Sequence, residues 1–271
     1  MRGLQTPVRA IRRQVFTEVA KLGFKANAET LVADMEAIPY EIVGEDSEVK
    51  YRESIYRARA VVRERLRLAM GLSLRPENKP VHLTAGVEAS NISEKYYEPP
   101  LMQVIPSGCE SCEENKYEVS NMCKGCLAHP CQEVCPRGAI SMVNGKSFID
   151  QDKCIKCGKC KSVCPYDAIA KKERPCKKAC GVNAITSDKL GRAYIDADKC
   201  VSCGMCMVSC PFGAISDKSQ IFQLARALSE GEEIVAEVAP AFVGQFGSNI
   251  NVRNFKAALE ELGFSETYEV A

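Results

Sequence analysis

Sixteen cysteines lie between Cys109 and Cys210, and none lies outside that window. Two stretches share one spacing: Cys154-x2-Cys157-x2-Cys160-x3-Cys164-Pro165 and Cys200-x2-Cys203-x2-Cys206-x3-Cys210-Pro211. This is the bacterial iron–sulfur run. Three thiolates separated by two residues each sit on one tight loop that can wrap three corners of an Fe4S4 cube. Backbone N–H groups of the loop then point at the sulfides and offset their charge. The fourth cysteine leaves on a helix, cannot fold back to the same cube, and reaches the neighbouring one, with proline fixing the exit.

Cys123-x2-Cys126-x4-Cys131-x3-Cys135-Pro136 is the same arrangement with a two-residue insertion. Paired with the run after it, it gives crossed ligation: Cys123, Cys126, Cys131 and Cys164 for one cluster, and Cys154, Cys157, Cys160 and Cys135 for the next. The second unit departs from this. It keeps Cys176-x3-Cys180, but Ala168 and Lys171 stand near where its first two cysteines are expected. Cys200, Cys203 and Cys206 still have Cys180 as a fourth ligand. Cys176 and Cys210 are two ligands short, and the unassigned cysteines are Cys109 and Cys112. If these complete the set, the chain holds four [4Fe-4S] clusters; without them it holds at least three.

The rival arrangement is a zinc ribbon from Cys109, Cys112, Cys123 and Cys126, whose paired C-x2-C spacing suits tetrahedral zinc. It would strip two ligands from the first run and orphan Cys176 and Cys210. Clusters that only staple the fold are a further alternative. His129, inside the first cysteine loop, reads as a packing or surface residue, and His82 has no carboxylate or cysteine near it in sequence. Lys153, Lys156, Lys159, Lys161, Lys171, Lys172, Lys177 and Lys178 crowd the clusters, where they are solvated and offset cluster charge. Sixteen thiolates and four cores of about +2 each would take the formal +1 to roughly −7. Nothing else looks catalytic, so no active site is expected in this chain.

The 271 residues are 46% apolar and 26% charged, which excludes wholesale disorder and a collagen-like fibre. No apolar run approaches the ~20 residues of a membrane span. Met1 to Phe16 lacks the apolar core of a secretory signal, and no hydrophobic stretch follows Arg12-Arg13, so the expected location is the cytoplasm. Thiols stay reduced there, which favours metal over disulfides. A net charge of +1 gives no reason to expect nucleic acid. Two histidines and no tryptophan argue against haem or a His-rich site.

The elements that carry these residues fall into three zones, giving an α+β reading. Residues 1–106 are a helical N-terminal region. Val8, Ile11, Val15, Val19 and Leu22 mark one face of a helix opened by Thr6-Pro7 and stopped by Gly23. A second helix spans Asn27–Ile38, ended by Pro39, and a third runs from about Tyr51 to Leu72. On the third, Arg59, Arg63 and Arg67 line one face, either a solvated surface or a docking face for an acidic redox partner. The proline-bearing segment Arg75–Pro106 reads as an extended connection.

Residues 107–216 form the iron–sulfur domain, in which one hexapeptide pattern recurs: Cys135-Pro-Arg-Gly-Ala-Ile, Cys164-Pro-Tyr-Asp-Ala-Ile, Cys180-Gly-Val-Asn-Ala-Ile and Cys210-Pro-Phe-Gly-Ala-Ile. The lead-in segments Phe148–Cys154 and Tyr194–Cys200 match, so a two-part unit has been duplicated. Residues 217–271 read as a helix before Gly231 and then a short β-α-β piece: Ile234–Val238, Val252–Leu262 and Thr267–Val270. The incomplete glycine pattern at Gly244 and Gly247 makes nucleotide binding an unfavoured reading.

The cysteine zone resembles bacterial-type two-[4Fe-4S] ferredoxin domains arranged as in multi-cluster enzymes. Ala236–Ala241, Gly244–Gly247 and Lys256–Phe264 are similar to the opening of the catalytic domain in iron-only ([FeFe]) hydrogenases. That resemblance implies the electron-input part of a hydrogenase-like oxidoreductase from an anaerobic setting, with a redox protein or catalytic domain as partner. The family's active-site cysteines lie further downstream, and no Cys follows Cys210. On this reading the chain continues past Ala271 into a larger α/β domain, or a separate subunit supplies the missing strands. The expected function is relay of single electrons through several clusters; the alternative is a metal-stapled interaction module with a zinc ribbon and structural clusters.

Overall fold

The computed structural model describes residues 5–25, 27, 29–45, 52–91, 99–247 and 250–270. The helices in chain order are α1 (Pro7–Lys25), α2 (Leu31–Ile42), α3 (Ile55–Ala69), α4 (Val87–Ser90), α5 (Pro130–Glu133), α6 (Lys159–Ser162), α7 (Pro175–Lys178), α8 (Met205–Ser209), α9 (Ile221–Glu230) and α10 (Val252–Glu261). The strands are β1 (Met102–Val104), β2 (Lys116–Val119), β3 (Ile140–Val143), β4 (Lys146–Ile149), β5 (Ile169–Lys172), β6 (Ile185–Ser187), β7 (Ala193–Ile195), β8 (Ile215–Asp217), β9 (Val235–Val238) and β10 (Glu266–Glu269). They form two compact units, residues 1–108 with 212–271, and residues 109–211.

In the first unit, Ile11, Val15, Val19 and Leu22 of α1 are buried at helical spacing, in one core with Met35 and Ile38 of α2 and Val62 and Leu66 of α3. Gly23 does not stop α1, which runs on to Lys25. It is needed for close approach instead: a Cβ at Gly23 would come within 2.6 Å of the Ala225 Cβ and 2.7 Å of the Phe222 carbonyl oxygen on α9. Phe222 is buried in the same core. Residues 217–230 therefore group with the N-terminal helices rather than with the β-α-β piece that follows.

Helix α2 starts and ends four residues later than the spacing predicts and passes through Pro39. The proline ring forfeits only its own N–H bond, the Val43 N–H still reaches the Pro39 carbonyl at 3.2 Å, and the ring itself is buried. Helix α3 is shorter at both ends than expected; Tyr51 lies outside the described residues. Gly71, at φ +77°, ends it.

Arg59, Arg63 and Arg67 of α3 are engaged within their own unit. Arg59 donates to the Val43 carbonyl at 2.9 Å and lies over the Tyr40 ring at 4.6 Å, while Arg63 donates to the Tyr40 hydroxyl at 2.8 Å. Arg67 is buried and serves the carbonyls of Ser73, Leu83 and Ala85 at 2.6–2.9 Å. The physical reason is that the segment after α3 brings loop carbonyls with no ladder partner, and a guanidinium offers five donors to satisfy them. That segment contains α4 and β1, and Arg75 in it pairs with the buried Glu64 at 2.6 Å.

Strand β1 pairs antiparallel with β8. Strands β9 and β10 pair parallel around α10, with Val235 opposite Glu266. No residue of α10 is buried, and Val235 and Leu262 stay exposed; Phe255 stacks on Phe242 at 4.5 Å.

In the second unit β2 pairs with β5, β3 with β4 and β6 with β7, all antiparallel. The hexapeptides set the chain path. Their Ala-Ile pairs are all buried: Ala139-Ile140, Ala168-Ile169, Ala184-Ile185 and Ala214-Ile215. The residue before each pair is left-handed: Gly138, Asp167, Asn183 and Gly213, with φ of 47–59°. Each isoleucine then opens a strand. The two cysteine runs Cys154–Cys164 and Cys200–Cys210 follow in tandem, but the elements serving them are nested. One copy reads β2, Cys123-x2-Cys126, α5, β3, β4, α6, β5. The other, in the same order, reads β1, Cys109-x2-Cys112, α7, β6, β7, α8, β8, and the first copy sits between its second and third parts.

Candidate metal centre

The first C-x2-C turn of each run, and the upstream Cys109–Cys112 turn, carries a left-handed residue just before its second cysteine: Ser111, Gly125, Lys156 and Ser202, with φ of 46–59°. Lysine and serine adopt this conformation at a cost of roughly 1–2 kcal/mol, so the surroundings hold these loops in place. The Cys109–Cys112 turn thus has the backbone form of the three others. Before each buried third cysteine the chain turns left-handed again, at His129 (φ 39°), Gly158 (81°) and Gly204 (72°). His129 is therefore a turn residue. Arg174, before Cys176, stays extended at φ −67°.

Two sets of four cysteines each line a common pocket. Cys123, Cys126, Cys131 and Cys164 line an open pocket, about 330 Å³ with its solvent-filled mouth included, with Val119, Ser147 and Ile169. Cys135, Cys154, Cys157 and Cys160 line a second, also about 330 Å³, with Tyr117, Ile140 and Ile149. Cys206 has Cys200 and Cys203 as neighbours. Cys180 occupies the same turn as Cys135 and Cys164: its Sγ accepts the Ala184 N–H at 3.3 Å, as theirs accept Ala139 and Ala168 at 3.3 and 3.4 Å. The neighbours of both Cys112 and Cys176 are Cys210 and Cys109. The zinc-ribbon grouping is not assembled: Cys109 and Cys112 lie with Cys176 and Cys210, whereas Cys123 and Cys126 lie with Cys131 and Cys164.

Cys109 and Cys123 are equivalent in detail. The Ser147 N–H of β4 points to the Cys123 Sγ at 3.5 Å, and the Ala193 N–H of β7 points to the Cys109 Sγ at 3.4 Å. Ser147 pairs with Met142 and Ala193 with Ser187, each two residues past the hexapeptide isoleucine. The upstream pair therefore occupies the place left by the missing half-motif.

Arg174 holds it there. This side chain, 4% exposed, donates to the Cys112 carbonyl at 3.0 and 3.1 Å, to Gly191 at 2.7 Å, and to Thr186 and Ser187. In the other copy the chain runs continuously from Cys126 to Cys131, and no such clamp is required. Sequence spacing gave no sign of this role; the local signal is that Arg174-Pro175-Cys176 replaces His129-Pro130-Cys131.

Burial pushes the Cys160 and Cys112 thiols up, and those of Cys176 and Cys206 up to about 11, with neighbouring cysteines adding to the shift. The Ser147 and Gly125 N–H groups lower Cys123. A metal taken up here must displace protons from the raised thiols. Among the described residues, no three Cys, His, Asp or Glu side chains converge closely enough on a point to hold a single ion. A donor set of four thiols around a cavity, with amide N–H groups aimed at sulfur, fits a polynuclear iron–sulfur group, which supplies reversible one-electron storage.

Of the eight lysines singled out in the sequence, five are paired: Lys153 with Asp150, Lys171 and Lys178 with Glu173, Lys172 with Glu118, and Lys177 with Glu114. Glu173, between its two lysines, is held at about 2 by their hydrogen bonds. Among the described residues, no helix is long and apolar enough to cross a membrane.

Residues 148–170 and 193–216 match the family of 4Fe-4S binding domains. The chain is 37% identical over 65 residues to an uncharacterized ferredoxin of Methanocaldococcus jannaschii, covering 24% of this chain and 39% of that one. It is 41% identical over 56 residues to the electron transport protein HydN of Escherichia coli, covering 21% and 32%. It is 40% identical over 63 residues to one component of an ion-translocating oxidoreductase complex of Methanosarcina acetivorans, covering 22% and 24%. In each case the chain spans well under two thirds of its relative's length. The matches and the sixteen cysteines together support a ferredoxin-type 4Fe-4S array with a part in electron transfer.

Proposed function

We propose that this chain relays single electrons through four [4Fe-4S] clusters in the cytoplasm. Cluster 1 is held by Cys123, Cys126, Cys131 and Cys164, and cluster 2 by Cys154, Cys157, Cys160 and Cys135. Cluster 3 is held by Cys200, Cys203, Cys206 and Cys180, and cluster 4 by Cys109, Cys112, Cys176 and Cys210. The observation that carries this is the lining of two equal cavities by four thiols each, every set drawn from two cysteine runs. The matching N–H contacts on Cys109 and Cys123 support the fourth set. The protein's part is to hold the clusters in series and set their potentials through amide hydrogen bonds and burial.

The finer reading is that the relay serves a catalytic domain or subunit of an oxidoreductase similar to iron-only hydrogenases. Its support is the tail resemblance, together with a parallel β9–β10 pair whose helix buries no residue.

Anaerobic reconstitution with iron and sulfide tests the relay. About sixteen iron per chain, at four per cluster, and reducible low-temperature EPR signals are expected. Stoichiometric zinc with iron for two clusters or fewer would overturn it.

A further inference from the structure

The runs Cys154–Cys164 and Cys200–Cys210 have the same spacing and the same left-handed turns. In both, the second cysteine is exposed, Cys157 in one and Cys203 in the other, while the third is buried. An apolar tip stands beside each exposed cysteine, Ile155 at 58% and Val201 at 65% exposure. Their lead-in segments carry equivalent charges: Asp150, Asp152 and Lys153 against Asp196, Asp198 and Lys199.

Between the cysteines, the two runs differ in charge at three positions. Lys156, Lys159 and Lys161 stand where the second run has Ser202, Met205 and Met207. All three lysines are exposed. Among the described residues they enter no ion pair, whereas Lys153, Lys171, Lys172, Lys177 and Lys178 do. One opposing acid, Asp167, follows the run where the other copy has Gly213. Charge compensation alone does not account for the contrast, because the equivalent loop does without it.

We infer that the Cys154–Cys164 loop is a docking port for a one-electron carrier protein with an acidic rim around its own redox centre. Ile155 is the apolar contact at the middle, and Lys156, Lys159 and Lys161 are the steering rim. Like charges concentrated around an exposed apolar tip raise the rate of encounter with an oppositely charged partner and suppress others. The Cys200–Cys210 loop lacks that rim and does not attract such a carrier. At the port, the reduced carrier gives up one electron and this protein gains one, with no bond or proton exchanged. The inference rests on the relay proposed above.

The test is stopped-flow reduction of the reconstituted full chain by a reduced, acidic two-cluster ferredoxin at low and high salt. Methyl viologen radical cation serves as the oppositely charged control. Iron content and EPR signals report on the relay itself; if they are absent, that reading fails before the port is tested. With them intact, K156Q/K159Q/K161Q is expected to slow reduction by the acidic ferredoxin about tenfold at low salt and flatten its salt dependence. Its rate with methyl viologen radical is expected to hold or rise. Unchanged rates with the acidic ferredoxin, or equal losses with both reductants, would overturn the port. Should the triple variant lose iron, S202K/M205K/M207K decides: a faster, salt-sensitive reaction with the acidic ferredoxin supports the port, and an unchanged rate overturns it.

Discussion

Arg174 donates from Nε and Nη2 to the backbone carbonyl of Cys112 across 62 residues of sequence, at 3.1 and 3.0 Å. The contact stands in for chain continuity, because a C-x2-C turn that precedes an inserted copy has no short covalent tether to Cys176. Its guanidinium is buried, so removing it leaves several loop carbonyls without donors. R174M is expected to lose about four of roughly sixteen iron atoms per chain, with one EPR component missing. R174K restores charge but not the fork, and is expected to recover iron only in part. Full iron in R174M would show that the loop seats itself.

Cys109→Ser and Cys112→Ser are each expected to remove the same single cluster and to spare the other three. Iron analysis and EPR of the reduced variants check this. Loss instead of the component that disappears in C126S would show that the upstream pair serves Cys123 and Cys126.

Gly158 lies at φ +81°, and a Cβ there would sit 2.6 Å from the Tyr117 hydroxyl. G158A combines left-handed strain of about 1–2 kcal/mol with a displaced ring in the second cavity. The expected outcome is a selective change or loss of that cluster's signal, measured by EPR. The equivalent G204A meets nothing closer than Met207 Cε at 3.7 Å and bears the strain alone, so its effect is expected to be milder.

Gly23→Ala forces α1 and α9 apart, because its Cβ would meet Ala225 and Phe222. Overpacking of this kind costs typically about 1–3 kcal/mol. Thermal unfolding followed by far-ultraviolet circular dichroism is expected to show the loss, with iron content unchanged.

Cluster removal by chelator under reducing conditions separates the two units. Metal binding contributes folding free energy to sites rich in ligand and poor in core, and residues 109–211 are such a site. The core of Val15, Val19, Met35, Val62, Leu66 and Phe222 includes no cysteine. Hydrogen exchange is therefore expected to accelerate across 109–211 on cluster loss while α1, α2, α3 and α9 stay protected.

Much of this protein is legible in its sequence because cysteine turns are local. The spacing of Cys154 to Cys164 and of Cys200 to Cys210 carries the loop form by itself, and the hexapeptides mark where each turn releases into a strand. The buried faces of α1 and α3 follow from periodicity in the same way. The tertiary structure decided what depends on contacts distant along the chain. Pro39 is carried inside a helix because tertiary burial outweighs one lost hydrogen bond. Gly23, by its residue type a stop, is a crossing point, since its role depends on α9 arriving some two hundred residues later. Arg59, Arg63 and Arg67 look like a charged surface until the carbonyls of Val43, Leu83 and Ala85 are brought to them. Counting cysteines showed that Cys109 and Cys112 were left over; only the fold shows the Ala193 N–H and the Arg174 guanidinium meeting their loop, because a nested copy is closed by distant partners and not by its own spacing.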